Sequence, residues 1–204
     1  MHNRPVRSIV IIQTLLIFVL PVALLYFKIL SVSWRIFLLV LCSLIIYGII
    51  RHEHWTHEEM GLRHDNILKS LPYYAVFTAL GVAALFFVGH KVNLPDNDTT
   101  GFLVRSFSLF IPISFFQEFA FRSFLIPRLR LIFADNMSVI LVDALLFALI
   151  HVIYPNIGLG ILLTLVSGIF FAWLYIKYPN LLMVSISHSI LNIVAILLGF
   201  FNLH

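Results

Sequence analysis

Apolar residues come along this chain in long blocks, and most polar residues fall between them. An α-helix needs about 20 apolar residues to cross ~30 Å of hydrocarbon. Seven blocks of roughly that length are predicted as spans. They are Ser8–Phe27, Trp34–Ile50, Leu71–Val88, a fourth from near Phe102 to the Pro127-Arg128 boundary, Val139–Ile153, Ile157–Ile176 and Leu181–Phe201. Turn formers separate them: Pro95, Asp96, Asn97 and Asp98 in a loop over His90–Thr100, then Tyr154-Pro155-Asn156 and Tyr178-Pro179-Asn180. Asp135-Asn136-Met137-Ser138 offers N-caps for the fifth helix. Gly158, Gly160, Thr164, Ser167 and Gly168 allow close helix contact along the sixth. Pro112 is a candidate kink in the fourth. The expected fold is therefore all-α, a polytopic transmembrane bundle of about seven spans. Residues 1–100 form an N-terminal transmembrane region of three spans plus a polar loop, 51–69, and residues 101–204 form a second unit.

Composition sharpens this picture. The chain is 61% hydrophobic and 11% charged, with mean hydropathy +1.04, which excludes a soluble domain and implies a lipid bilayer as solvent. The net charge of +4 is explained by basic residues anchoring cytoplasmic loops, so no nucleic-acid partner is expected. With the N-terminus in the cytoplasm, that side holds Arg4, Arg7, Arg51, Arg63, Lys69, Arg122, Arg128, Arg130 and Lys177. The other side holds Lys28, Arg35, Lys91 and Arg105, and the asymmetry favours this orientation. Arg4 and Arg7 resemble the start of a signal peptide. The apolar run after them is too long and no small-x-small site follows, so it is read as a retained first span. The single cysteine, Cys42, rules out an intrachain disulfide.

The stretch Phe115-Phe116-Gln117-Glu118-Phe119-Ala120-Phe121-Arg122 breaks the pattern. Glu118 and Arg122 are four apart and share a helix face, which Ser114 extends. A charge at membrane depth is expensive and is kept where it faces the bundle interior and acts. Later spans carry further pairs that share a face at the same spacing: Phe147 with His151, and His188 with Asn192. Counted inward from the helix ends at ~1.5 Å per residue, Glu118 lies ~13 Å deep, His151 ~20 Å, His188 ~10 Å and Asn192 ~16 Å. These depths let the four meet. A carboxylate and an imidazole can hold a water and take its proton. A second imidazole and an amide can donate to the oxyanion of a tetrahedral intermediate. Together they describe peptide hydrolysis without a serine or cysteine nucleophile.

Other readings use the same residues. Glu118–Arg122 could be an ion pair that locks helices. His151 could be a core histidine bonded to a backbone carbonyl, and His188 and Asn192 could be interhelical glue. Glu118, His151 and His188 could make a two-histidine, one-carboxylate zinc site. A proton relay would add Asp143, which lies two turns before His151, but charges do not recur along several spans to make a path. Asp143 is read as structural, capping or pairing with a basic residue. The histidines between His52 and His64 fit no tight ligand set, so 51–69 is read as a solvated or interfacial loop.

Gln117-Glu118-x-x-x-Arg122, Phe147-x-x-x-His151 and His188-x-x-x-Asn192 resemble, in order and spacing, the three motifs of the CPBP family. That family comprises the type II CAAX prenyl endopeptidases and the bacterial bacteriocin-processing or immunity (Abi) proteins. Glu58-Glu59-Met60-Gly61-Leu62-Arg63 is similar to a short Gly-Leu element found before the domain. The resemblance implies a membrane bundle whose catalytic cavity opens to the cytoplasm, with residues 101–204 as the catalytic domain. It implies an intramembrane endopeptidase acting on a membrane-associated protein or peptide, in the bacterial cytoplasmic membrane. Glu118 and His151 would handle the water, His188 and Asn192 would form the oxyanion hole, and Arg122, Gln117 and Phe147 would support them. No metal or other cofactor is expected. The family motif usually begins with two glutamates, the first being the usual general base; here that place is Gln117, which cannot take a proton. The alternative this raises is a weakened or inactive binding or immunity protein that sequesters a peptide or partner.

Overall fold

The computed structural model describes residues 6–89, 99–154 and 158–200, with side chains from 107 onward in the fourth helix. These residues form seven helices and no strand, as the apolar blocks require. α1 is Arg7–Tyr26. α2 is Arg35–His52, entered through a turn at Val32–Trp34. α3 is Ile67–Gly89. α4 begins as Thr99–Glu118 and runs on through Phe119–Leu125 into Ile126–Leu129. α5 is Asn136–Leu149, α6 is Gly158–Lys177 and α7 is Leu181–Leu197. Five of them are long and apolar enough to cross a membrane, whereas α5 and α7 are apolar but shorter. The expected turns at Pro95–Asp98 and at Pro155-Asn156, and the expected end of the seventh span at Phe201, lie outside the described residues.

α4 is the central helix. It packs on α7, which in turn packs on α3, while α5 pairs with α6. The α5–α6 contact is tight because Gly168 lacks a side chain: a Cβ there would come within 3.1 Å of the Ala144 backbone. All seven residues of Phe119–Leu125 are buried. A helix buried all round has no lipid or water face.

Two helices depart from α geometry. Leu15–Val19 in α1 and Phe119–Leu125 in α4 are π-helical, and each ends two residues before a proline, Pro21 or Pro127. A proline offers no N–H, so the ladder approaching it loses a bond and re-registers. The Ile17 carbonyl, four residues before Pro21, takes the Cys42 thiol at 3.6 Å instead. α4 stays α-helical through Pro112, so its irregularity falls at 119–125 rather than at the expected kink.

α5 begins where the caps predicted. Asp135 accepts from the Ser138 N–H at 2.7 Å, and these bonds hold its carboxyl below the usual range. The helix ends at Leu149, short of the expected Ile153. The N–H groups of His151 and Val152 bond three residues back, to Ala148 and Leu149, and tighten the chain into turns. Residues near Tyr154 are also biased away from helix by the proline that follows.

The segment 53–66 is not a solvated loop throughout. His52, His54, His57 and His64 do face outward, but the backbone between them clips the end of the bundle. The Met60 carbonyl accepts from Ser123 of α4 at 2.6 Å and from the Tyr175 hydroxyl of α6 at 3.3 Å. The Gly61 carbonyl accepts from the Leu181 N–H at 2.8 Å, opening α7. Asn180 donates to the Arg63 carbonyl and to Asn66, and Asn66 donates to the Pro179 carbonyl. Thr56 and Glu59 form a reciprocal capping box that starts the turn. Gly61 has φ +74° against the Tyr175 hydroxyl, a site that tolerates only glycine. The reason is the arithmetic of unpaired backbone groups: helix ends that leave carbonyls and N–H groups bare must find partners, and this segment supplies them.

Candidate active site

The π segment begins directly after Glu118 and sets the direction in which the polar residues of α4 point. Glu118, Arg122 and Asp143 are fully buried, and His188 nearly so. Glu118 Oε1 lies 2.7 Å from His188 Nδ1. Its other oxygen, Oε2, pairs with Arg122 Nε at 3.2 Å, a contact without hydrogen-bond alignment. Arg122 Nη1 donates to Asp143 Oδ2 at 2.8 Å. The result is a single buried chain, Asp143–Arg122–Glu118–His188, drawn from α5, α4 and α7. Asp143 thus pairs with a basic residue. Ions are tolerated at this depth because each has an opposite charge against it.

Phe147 organises the remaining residues. The Arg122 guanidinium lies 4.8 Å from its ring centre. The His151 and His188 rings lie 5.3 and 5.4 Å from it, so the phenyl stands between two imidazoles. His151 sits just past the end of α5, with Nδ1 2.9 Å from the Phe147 carbonyl. That carbonyl can only accept, so Nδ1 carries the proton and Nε2 is the basic nitrogen. Asn192, half-buried, donates to Ser114 Oγ of α4 at 3.1 Å.

Two cavities reach this group. The larger, of about 290 Å³, lies under α3, α6 and α7, and His151, His188 and Asn192 line it together. Thr164 and Ser167 also line it, and the rest of its wall is apolar, with Phe77, Leu80 and Phe170 among the residues. The smaller, of about 150 Å³, lies between α1, α2, α4 and α5, and Gln117 and His151 line it with Arg35, Cys42 and Tyr154. Glu118 lines neither. Both are walled in part by helix ends remote from the 53–66 clip, Arg35 and Tyr154 in the smaller and Gly160 in the larger.

The structure therefore brings Glu118 to His188 directly and gathers His151, His188 and Asn192 around one cavity. Gln117 and Glu118, adjacent in sequence, serve different places. Among the described residues no three His, Cys, Asp or Glu side chains converge as a metal-ligand set. A zinc site of Glu118, His151 and His188 does not fit, because the Glu118 carboxylate is divided between Arg122 and His188. Sequence reasoning missed Arg35 and Tyr154, which no local pattern marks.

Residues 99–194 match the family of type II CAAX prenyl endopeptidases, Rce1-like. The matched segment, somewhat under half of the chain, holds all of Glu118, Arg122, His151, His188 and Asn192, and in it the chain is similar to that family. Neither a curated protein nor a solved structure matches the chain.

Proposed function

We propose that the protein is an intramembrane endopeptidase that hydrolyses a peptide bond of a membrane-associated protein or peptide. The substrate's apolar segment occupies the larger cavity, with its scissile carbonyl at the polar floor. His151 Nε2 takes a proton from water as the oxygen attacks the carbonyl carbon. The oxyanion is held by Asn192 and by the His188 Nε2–H. Glu118, bonded to Nδ1 of His188, orients that ring and balances its charge, as a buried carboxylate does for a histidine in other hydrolases. Arg122, held by Asp143, pairs with the other oxygen of Glu118 and fixes its side chain. The intermediate collapses, the C–N bond breaks, and the leaving amine takes its proton back from His151. This assigns Glu118 to His188 rather than to the water. It needs no metal.

The observation that carries this reading is the shared cavity wall of His151, His188 and Asn192 beside an apolar pocket. His151→Ala should abolish cleavage, a loss of at least about 10²-fold for a general base, while the protein stays folded in detergent. Peptidomics of membranes containing either form is the measurement. Identical peptide products from both would sink the reading.

One observation favours a second reading. The residue of the first motif that faces a cavity with His151 is Gln117, an amide, while the neighbouring carboxylate is locked into ion pairs. A cavity so lined suits a protein that binds and sequesters a peptide without cutting it. The same peptidomics decides: no product from the unmodified protein selects binding.

A further inference from the structure

Among the described residues, His151 is the one side chain that lines both cavities, so it forms the partition between them. Both walls are mostly apolar, and the spaces differ in the polar groups set into them and in the faces around them. The smaller carries a guanidinium, an amide and a phenol, from Arg35, Gln117 and Tyr154. Arg35 is the first residue of α2, its guanidinium lies 6.0 Å from the Tyr154 ring, and it has no carboxylate partner among the described residues. Buried water needs two to four polar partners, and here they sit between a helix terminus and the basic imidazole. The larger cavity is walled by α3 and α6, whose outer faces are apolar: Leu80 is 67% exposed, and Val166 and Phe170 are also exposed. That is a face for lipid or an apolar chain.

We infer that the smaller cavity is the water site of this protein: it delivers water to His151 from one side, while the larger cavity receives the apolar substrate from the other. The inference rests on the reaction proposed above for its purpose, but not for its test. Hydrolysis inside a bilayer must bring together two reactants of opposite solubility. Separate entrances that meet at one imidazole let each pass without crossing the other's path. Gln117 then has a use that needs no proton: it holds a water beside His151.

Cys42 lines the smaller cavity and is the chain's single cysteine, a built-in probe. The purified protein is treated with a charged, water-soluble methanethiosulfonate, and labelling is read by intact mass. Cys42 should react, with cleavage falling about tenfold or more as the plug blocks water, and reductant should restore it. The Cys42→Ala variant should be indifferent. In that background Ser167→Cys, on the larger cavity's wall, should resist the charged reagent and accept an apolar maleimide. Labelling does not depend on cleavage, so an inactive protein that still labels this way keeps the two separate entrances and loses only the proposed reaction. Failure of the charged reagent at Cys42 while the apolar one reacts, or equal charged labelling at both positions, overturns the inference.

Discussion

Arg122 and Arg128 stand six residues apart on α4, and both are buried, at 0% and 1% exposure. They keep different company. Arg128 bonds Glu53 of the clip at 2.7 Å and lies over Trp55 and Phe124, 5.2 and 4.9 Å from their rings. Its acid is 19% exposed and so keeps contact with solvent. Arg122 lies between two carboxylates that have no exposure at all, and through one of them it touches His188. The same residue type at the same burial thus fastens the bundle at one level and holds the Glu118–His188 pair at the other. What separates the roles is where the partner acid leads.

Substitution at the two arginines tests this contrast most strongly. Arg122→Leu strands two buried carboxylates and should cost about 3–5 kcal/mol, the range for breaking a buried ion pair from one side. Arg128→Leu frees Glu53 to turn toward water and should cost about 1–3 kcal/mol, that of a charged hydrogen bond. Thermal unfolding in detergent compares them, and equal losses would erase the distinction. Next comes the clip. Gly61→Ala forces a side chain into positive φ and against Tyr175, at about 1–3 kcal/mol. It should lower the melting temperature without altering the pH dependence of whatever activity remains, because the clip does not touch His151 or His188. A shifted pH profile would tie the clip to the site. The smallest effect belongs to Ser123→Ala, which removes the bond to the Met60 carbonyl and should cost about 1 kcal/mol. That loss should shrink when Gly61→Ala is already present, since both act on one contact.

Much of the helical fold was legible because lipid imposes it. Apolar blocks of spanning length admit few structures besides helices, and Asp135 marks a helix start by side-chain chemistry alone. The clip was not legible. Its histidines read as part of a solvated loop, and they do face outward; the hidden part is the backbone at Met60 and Gly61 and the inward bond of Glu53 to Arg128, and carbonyls look alike in any sequence. The π segment at 119–125 was equally silent until paired with Pro127, a pairing that α1 repeats with Pro21. The shortened α5 matters for the site, since it leaves His151 in a turn where one imidazole can border two cavities.

By itself the sequence determined that this is a helical membrane protein, and that an acid, two imidazoles and an amide sit in four-residue pairs on three of its apolar blocks. Those properties follow from composition and helical period, which are local. Only the tertiary structure decided that Glu118 goes to His188 and Arg122, that Phe147 stands between the imidazoles, and that Gln117 faces a cavity its neighbour does not reach. These depend on the rotation of each helix about its axis. A π turn, a tight glycine contact or a clip at the helix ends can change that rotation without any trace in the periodic pattern.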